Sequence, residues 1–252
     1  MMISPSLYAT RNTEPFYSAG SEKEYSWGTE EQAQYDQFRQ EFGPGWYYYE
    51  YRELVTTINR LGYRSTTVVP PHTGDYFIHL GCSNTFGQYL HESDRASNLV
   101  EQATSTPVIN LGILGSGANM IAQNMQKLWF SNYPKPRAII VQWPSIHRLT
   151  FPNNKGMTLA NISRIDKSQF KYFADGLIQE GVYENQAYHA FCIINSLGVP
   201  VINFALEDYI AEFYDIPSLE SISQDRARDN LHCGPLTNKE IYKHIIKELN
   251  TV

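Results

Sequence analysis

The sequence predicts an α/β protein, a three-layer α/β/α sandwich with a central, mainly parallel sheet and an N-terminal extension. Four short apolar runs rich in β-branched residues follow one another after residue 74: Tyr76 to Leu80, Pro107 to Leu111, Ala138 to Val141, and Val199 to Phe204. Their hydrophobicity is continuous rather than alternating, which marks strands buried on both faces. Stretches of helical periodicity separate them, and such alternation with right-handed crossovers puts helices on both sides of a parallel sheet.

Residues 1–74 form the extension, polar and irregular, with breaks at FGPGW (42–46) and VVPPHTG (68–74). Within it, Trp46, Tyr47, Tyr48, Tyr49 and Tyr51 supply rings that pack on a core, the commoner use, or stack on a sugar-like ligand. Residues 75–252 form the main domain, and a chain of 252 residues suits a single core. Its first strand runs into Gly81-Cys82-Ser83-Asn84-Thr85-Phe86-Gly87. A helix over Ser93 to Ala103 leads to the second strand, which exits into Gly112-Ile113-Leu114-Gly115. After a helix over Ala118 to Phe130, the third strand exits into Gln142-Trp143-Pro144-Ser145-Ile146-His147-Arg148. A long helix within Asp166 to Leu197 precedes the fourth strand, after which Glu207 and Asp208 start another helix. The last helix covers Asn238 to Leu249. Ligands of such sheets sit beyond the carboxyl ends of the strands, so these exits are the places to look for chemistry.

Composition narrows the function classes. With 42% hydrophobic and 18% charged residues the chain has enough apolar material to fold. A net charge of −6 and the lack of a basic run exclude nucleic acid as an expected partner. The N-terminus shows no basic segment followed by an apolar one, and no run of about 18 apolar residues occurs, so neither secretion nor a membrane span is expected. A cytoplasmic or virion-associated location follows as the expectation. Cys82, Cys192 and Cys233 are odd in number and make no CxxC pair, which suits reduced thiols and argues against structural zinc. Cys82 reads as a small buried apolar residue. No metal and no cofactor are expected. The sequon Asn161-Ile162-Ser163 carries no weight without a secretory signal.

Ser83 stands at a strand exit between Gly81 and Gly87, where the chain can turn sharply and leave a hydroxyl exposed. Position 85 is Thr, not the second glycine of a G-x-S-x-G elbow, so an α/β-hydrolase is not indicated. A serine hydroxyl needs a base to attack a carbonyl. Of the seven histidines, His232 lies in a loop before the last helix with Asp229 three residues upstream. In one curl of chain, positions i and i+3 share a side, so Asp229 can accept from one ring nitrogen while the other faces Ser83.

Taken together, GCSNTFG at 81–87, Asn110 to Gly115, and Asp229 to Gly234 resemble three blocks of the SGNH (GDSL-like) hydrolase superfamily, in the family's order. Cys82 replaces the usual Asp of the first block. Asn59-Arg60-Leu61-Gly62-Tyr63-Arg64 is similar to an N-x-x-G-[FY]-R segment ahead of the catalytic domain in bacterial and phage members. The resemblance implies a flavodoxin-like fold and a triad in which Ser83 attacks, His232 moves the proton and Asp229 orients it. It further implies an oxyanion hole from the N–H groups of Ser83 and Gly115. The family's third block, G-x-N-D, lacks its asparagine here; Gln142 carries the same amide on a longer arm, or the hole rests on two donors. Asn84, Trp143 and Arg148 stand where substrate could be touched, Arg148 either binding an anionic group or pairing with a carboxylate.

The expected function is a serine esterase removing an acyl group from a small-molecule or carbohydrate ester. An O-acyltransferase and a weakly active or inactive binding module of a phage particle are the alternatives. The oligomeric state stays open.

Overall fold

The computed structural model describes residues 23–26, 32–47, 54–59, 62–65, 74–130, 133–153, 156–161, 181–229 and 231–251. Tyr48, Tyr49, Tyr51, His72, most of the sequon and residues 166–180 of the expected long helix lie outside them. In chain order the elements are β1 (Lys23–Ser26), α1 (Gln32–Phe42), β2 (Val55–Ile58), β3 (Phe77–Leu80), α2 (Ser83–Phe86), α3 (Ala96–Thr104), β4 (Val108–Asn110) and α4 (Ala118–Trp129). There follow β5 (Ala138–Trp143), β6 (Arg148–Asn153), β7 (Gly156–Asn161), α5 (Val182–Asn195), β8 (Val201–Ala205), α6 (Asp208–Tyr214) and α7 (Pro235–Leu249).

The central sheet has the order β4-β3-β5-β8, with every neighbouring pair parallel. Alternate residues of each strand serve opposite faces. Ile78, Leu80, Ile139, Val141 and Trp143 join Met120, Ile121 and Met125 of α4 and Ala190 and Ile194 of α5 in one core cluster. Phe77, Ala138, Ile140, Ile202 and Phe204 join Ala96 and Val100 of α3 and Ile241 and Ile245 of α7 in another. The two clusters, one on each side of a single sheet, are the three layers the apolar runs implied. Glu207 stands at the N-cap position of α6, without a side-chain capping bond, and Asp208 begins the helix, as their acidic character at a helix start suggests.

Two parts differ from the sequence reading. The extension is less irregular than its composition suggests: β1 and β2 pair antiparallel, and α1 buries Tyr35 and Phe38. The signal was the aromatic stripe Tyr35, Phe38, Phe42 at helical spacing. An antiparallel hairpin, β6 with β7, stands between the third strand and α5, where no element was expected.

Trp46 packs its ring near Tyr35, Phe38 and Phe42, and the Tyr47 hydroxyl donates to the Asp94 carboxylate at 3.2 Å. The Trp46 ring serves packing, whereas Tyr47 is 43% exposed and held by its hydroxyl. Tyr35 and Leu54 of the extension, with Trp46 against them, cluster with Leu90 and Ala227, so the extension supports both loops that carry the candidate site.

His79, on the α3/α7 side of β3, is fully buried, and neither ring nitrogen has a hydrogen-bond partner among the described residues. Burial, aided by the positive charge of Arg95, lowers its pKa to about 3. The unfolded chain then binds a proton between about pH 6.5 and 3 that the folded chain refuses, so this stability is present above pH 6.5 and lost as pH falls. His79→Leu should therefore flatten the pH dependence of unfolding, sparing about 2–3 kcal/mol between pH 7 and 4.5. Urea titrations across that range check it; parallel curves for the two proteins would contradict it.

Candidate active site

Ser83 is placed by a sharp exit from β3. Gly81 is required there because a side chain would run into the Thr85 hydroxyl, and Gly87 closes the single turn of α2 at φ 75°, its N–H reaching the Ser83 and Asn84 carbonyls at 3.1 Å. Gly112, after β4, lets that strand's exit approach the turn: a methyl group on it would lie 2.5 Å from the Phe86 nitrogen. Asn110 holds the two exits together, donating to the Thr85 carbonyl at 2.7 Å and accepting the Gly112 N–H at 2.8 Å. The Ser116 hydroxyl adds a bond to the Gly81 carbonyl at 2.9 Å.

From the other side comes the loop before α7. It is closed as a narrow hairpin: the Ala227 N–H donates to the His232 carbonyl at 2.8 Å and the Gly234 N–H to the Asp225 carbonyl at 3.1 Å. Pro235 opens α7, where its missing N–H costs nothing, and the Asp225 carboxylate caps the helix by accepting from Leu236 and Thr237 at 3.0 and 2.8 Å. Asn238 donates to the Cys233 and Gly234 carbonyls and accepts the Ala96 N–H, so the loop is also tied to α3.

These two loops bring Ser83, His232 and Asp229 together. Ser83 Oγ lies 2.9 Å from His232 Nε2, and His232 Nδ1 lies 2.6 Å from Asp229 Oδ2. Asp229 Oδ1 accepts the N–H groups of Leu231 and His232, both at 3.1 Å, so one carboxylate shapes the turn and orients the ring. Burial pushes the Asp229 carboxyl up. The ring bond, the histidine's charge and the two backbone N–H groups together outweigh it and hold the group below its ordinary value. With Nδ1–H donated to an ionised Asp229, Nε2 is left to accept from Ser83. His232 keeps 20% of its side chain exposed against 7% for Asp229 and 6% for Ser83. The imidazole is thus the most exposed member of the relay, and the Ser83 hydroxyl, expected to be exposed by its place at a strand exit, is buried beneath it.

The other anticipated residues divide. Asn84 is half-buried and accepts the Cys233 N–H at 3.0 Å, lacing the serine turn to the histidine loop. Trp143 is a correction: it is 2% exposed, its ring lies against Phe191 and Tyr214, and its indole N–H donates to Asn203. β5 continues two residues beyond the expected end, which turns Trp143 into the core. Arg148 donates to the Ser116 carbonyl at 3.2 Å, and among the described residues no carboxylate pairs with it. Gln142 lies within β5, and its side-chain carbonyl accepts from the Thr85 hydroxyl at 2.9 Å. No acceptor for its amide nitrogen, or for the N–H groups of Ser83 and Gly115, is found among the described residues. Gly115 has φ 71°, which only glycine adopts without strain.

Cys82 and Cys233 are buried free thiols flanking the site, and burial pushes the Cys233 pKa up to about 12, which keeps it protonated and inert near neutrality. Sequence reading missed Tyr89. Its backbone is left-handed at φ 59°, uncommon for a bulky residue, and it places a ring 6.3 Å from that of His232. Among the described residues no group of three or more His, Cys, Asp or Glu is placed to hold a metal ion, and no helix is long and apolar enough to cross a membrane.

No protein-family model matches the chain, and no curated protein matches it. Among solved structures it is similar to a lipolytic protein of the G-D-S-L family from Veillonella parvula, at 12% identity and a TM-score of 0.45 over 70% of this chain and 99% of that one. It is also similar to the acetyl xylan esterase Est2A from Butyrivibrio proteoclasticus, at 12% identity and 0.44 over 73% and 65%. A third is the psychrotrophic esterase EstA from Pseudoalteromonas, at 15% and 0.35 over 70% and 99%.

Proposed function

We propose that the chain is a serine esterase that removes an acetyl or similar short acyl group from a carbohydrate or comparable polar ester. The observation that carries this reading is the continuous relay from Ser83 Oγ through the His232 ring to Asp229, at 2.9 and 2.6 Å. His232 Nε2 takes the Ser83 proton as Oγ bonds to the ester carbonyl carbon. The resulting imidazolium then gives that proton to the departing alcohol oxygen as the ester bond breaks. Water repeats the sequence on the acyl-serine: His232 takes one of its protons as its oxygen bonds to the acyl carbon. The bond from that carbon to Ser83 Oγ breaks as the proton passes to Oγ, and the carboxylic acid leaves and ionises in solvent. Asp229 stays ionised throughout.

The developing oxyanion is held by the N–H groups of Ser83 and Gly115 and by the amide nitrogen of Gln142, which the Thr85 hydroxyl orients by fixing the other end of that amide. Gln142→Leu is expected to lower kcat on the order of a hundredfold with little change in KM. An unchanged kcat assigns the hole to the two backbone donors alone.

The proposal is tested by hydrolysis of p-nitrophenyl acetate by the wild type beside Ser83→Ala and His232→Ala. Turnover that both substitutions abolish supports it. Wild-type turnover no higher than that of the variants rejects it in favour of a binding module.

A further inference from the structure

Beyond the exits of β5 and β8, three rings drawn from separate parts of the chain meet. His147 stacks on Tyr209 of α6, with centroids 5.8 Å apart and planes at 21°, and lies 5.4 Å from the ring of Tyr183 at the start of α5. The Tyr209 hydroxyl donates to Ser145 Oγ at 2.9 Å, which fixes its ring. Tyr209 is nevertheless 39% exposed, and His147 and Tyr183 are half-buried, unlike the core rings of Trp143 and Tyr214. Arg148 adjoins the row, its guanidinium bonded among the described residues to the Ser116 carbonyl alone, and the exposed carboxylate of Glu207 lies beside Tyr209.

Sheet order sets how far the strand exits that lead to this row lie from the exit that leads to Ser83. β5 is the neighbour of β3 and β8 follows it, and strands in a sheet are spaced about 4.8 Å apart. Their exits therefore lie roughly 5 and 10 Å from the exit that carries Ser83. Ser116 bridges the two regions, its hydroxyl on the Gly81 carbonyl and its own carbonyl on Arg148.

The geometry points to the Tyr183, His147 and Tyr209 row, with Arg148 and Glu207, as the subsite that holds a sugar ring of a neutral O-acylated carbohydrate while its ester reaches Ser83. The apolar face of a sugar lies on aromatic rings, and its hydroxyls are met by charged planar side chains that both donate and accept. Neutral sugars are favoured over acidic ones by charge. The single guanidinium is offset by Glu207 and by Glu184 beside Tyr183, in a chain of net charge −6. This assignment rests on the esterase reading for the fate of the ester, but binding at the row does not require turnover.

The full-length Ser83→Ala protein, titrated with β-D-glucose pentaacetate, reports binding through the His147 ring resonances. Hydrolysis of the same compound relative to p-nitrophenyl acetate is compared in wild type, Tyr209→Ala, Tyr209→Phe and Phe130→Ala. Phe130 is an exposed ring at the far end of α4. Saturating shifts of His147 are expected. Tyr209→Ala should lower the kcat/KM ratio about tenfold, the worth of one aromatic contact, while Tyr209→Phe keeps most of it and Phe130→Ala leaves it as in the wild type. Unmoved His147 resonances, or a ratio that Tyr209→Ala changes by less than about twofold, overturn the subsite. Tighter binding of an acetylated glucuronic acid overturns the neutral-sugar assignment. If p-nitrophenyl acetate is not hydrolysed yet His147 shifts saturate, the esterase reading falls and the subsite stands.

Discussion

Ser83→Ala or His232→Ala should each lower kcat on p-nitrophenyl acetate by a factor on the order of 10⁴ to 10⁶, and combining them should cost little more, because residues that act as one unit are not additive. Asp229→Asn should cost about 10⁴-fold, since an amide in place of Oδ2 favours the wrong tautomer of His232 and turns a proton toward Ser83 rather than a lone pair. Stability separates these variants further. Asp229 Oδ1 also accepts the N–H groups of Leu231 and His232, so Asp229→Ala should open the turn as well as silence the histidine, whereas Asp229→Asn keeps an oxygen for the turn. Burst kinetics with p-nitrophenyl acetate measures the catalytic losses, and thermal unfolding distinguishes the two Asp229 variants.

Arg64→Ala should be among the most destabilising single substitutions, by about 3–5 kcal/mol, lowering the melting temperature by roughly 10 °C. Arg64 is 1% exposed. Its guanidinium donates to the carbonyls of Gly87 and Leu90, the latter at 2.8 Å, reaches that of Phe86 at 3.5 Å, and lies over the Phe86 ring. Its own carbonyl accepts from Arg95 at 2.6 Å. Truncation would take the guanidinium donor from the buried Leu90 carbonyl, leave the Gly87 carbonyl with the Leu90 N–H at 3.1 Å in place of two donors, and open a void beneath Phe86. Arg64→Lys should rescue little, because a point ammonium cannot span acceptors that a planar fork reaches together. Equal melting temperatures for wild type and Arg64→Ala would contradict this account of how the turn is held.

What was legible in the sequence follows from which forces act locally. The four strands could be read because both faces of a parallel sheet are buried, so their apolar runs are continuous. The relay could be read because Asp229 and His232 lie three residues apart and Ser83 follows a strand directly. Trp143 was misplaced because the end of β5 depends on pairing with β8, out to Trp143 opposite Ala205, and sequence does not reveal a partner strand. The β6/β7 hairpin escaped because Pro152, Asn153 and Gly156, residue types disfavoured in strands, interrupt any strand period in the sequence. Arg64 was visible only as part of a motif; its work on α2 depends on the turn in which Asn59 accepts the Tyr63 N–H and donates to the Ser65 carbonyl. The row of Tyr183, His147 and Tyr209 has no sequence signature, since three separate elements assemble it.

The central claim is that His232 activates Ser83, and reaction with a fluorophosphonate tests it most directly. Attack by Ser83 Oγ on phosphorus with departure of fluoride should leave one adduct per chain, mapped by mass spectrometry to Ser83 and lost in both Ser83→Ala and His232→Ala. Absence of an adduct on the folded wild type, or one that His232→Ala retains at the same rate, would contradict it.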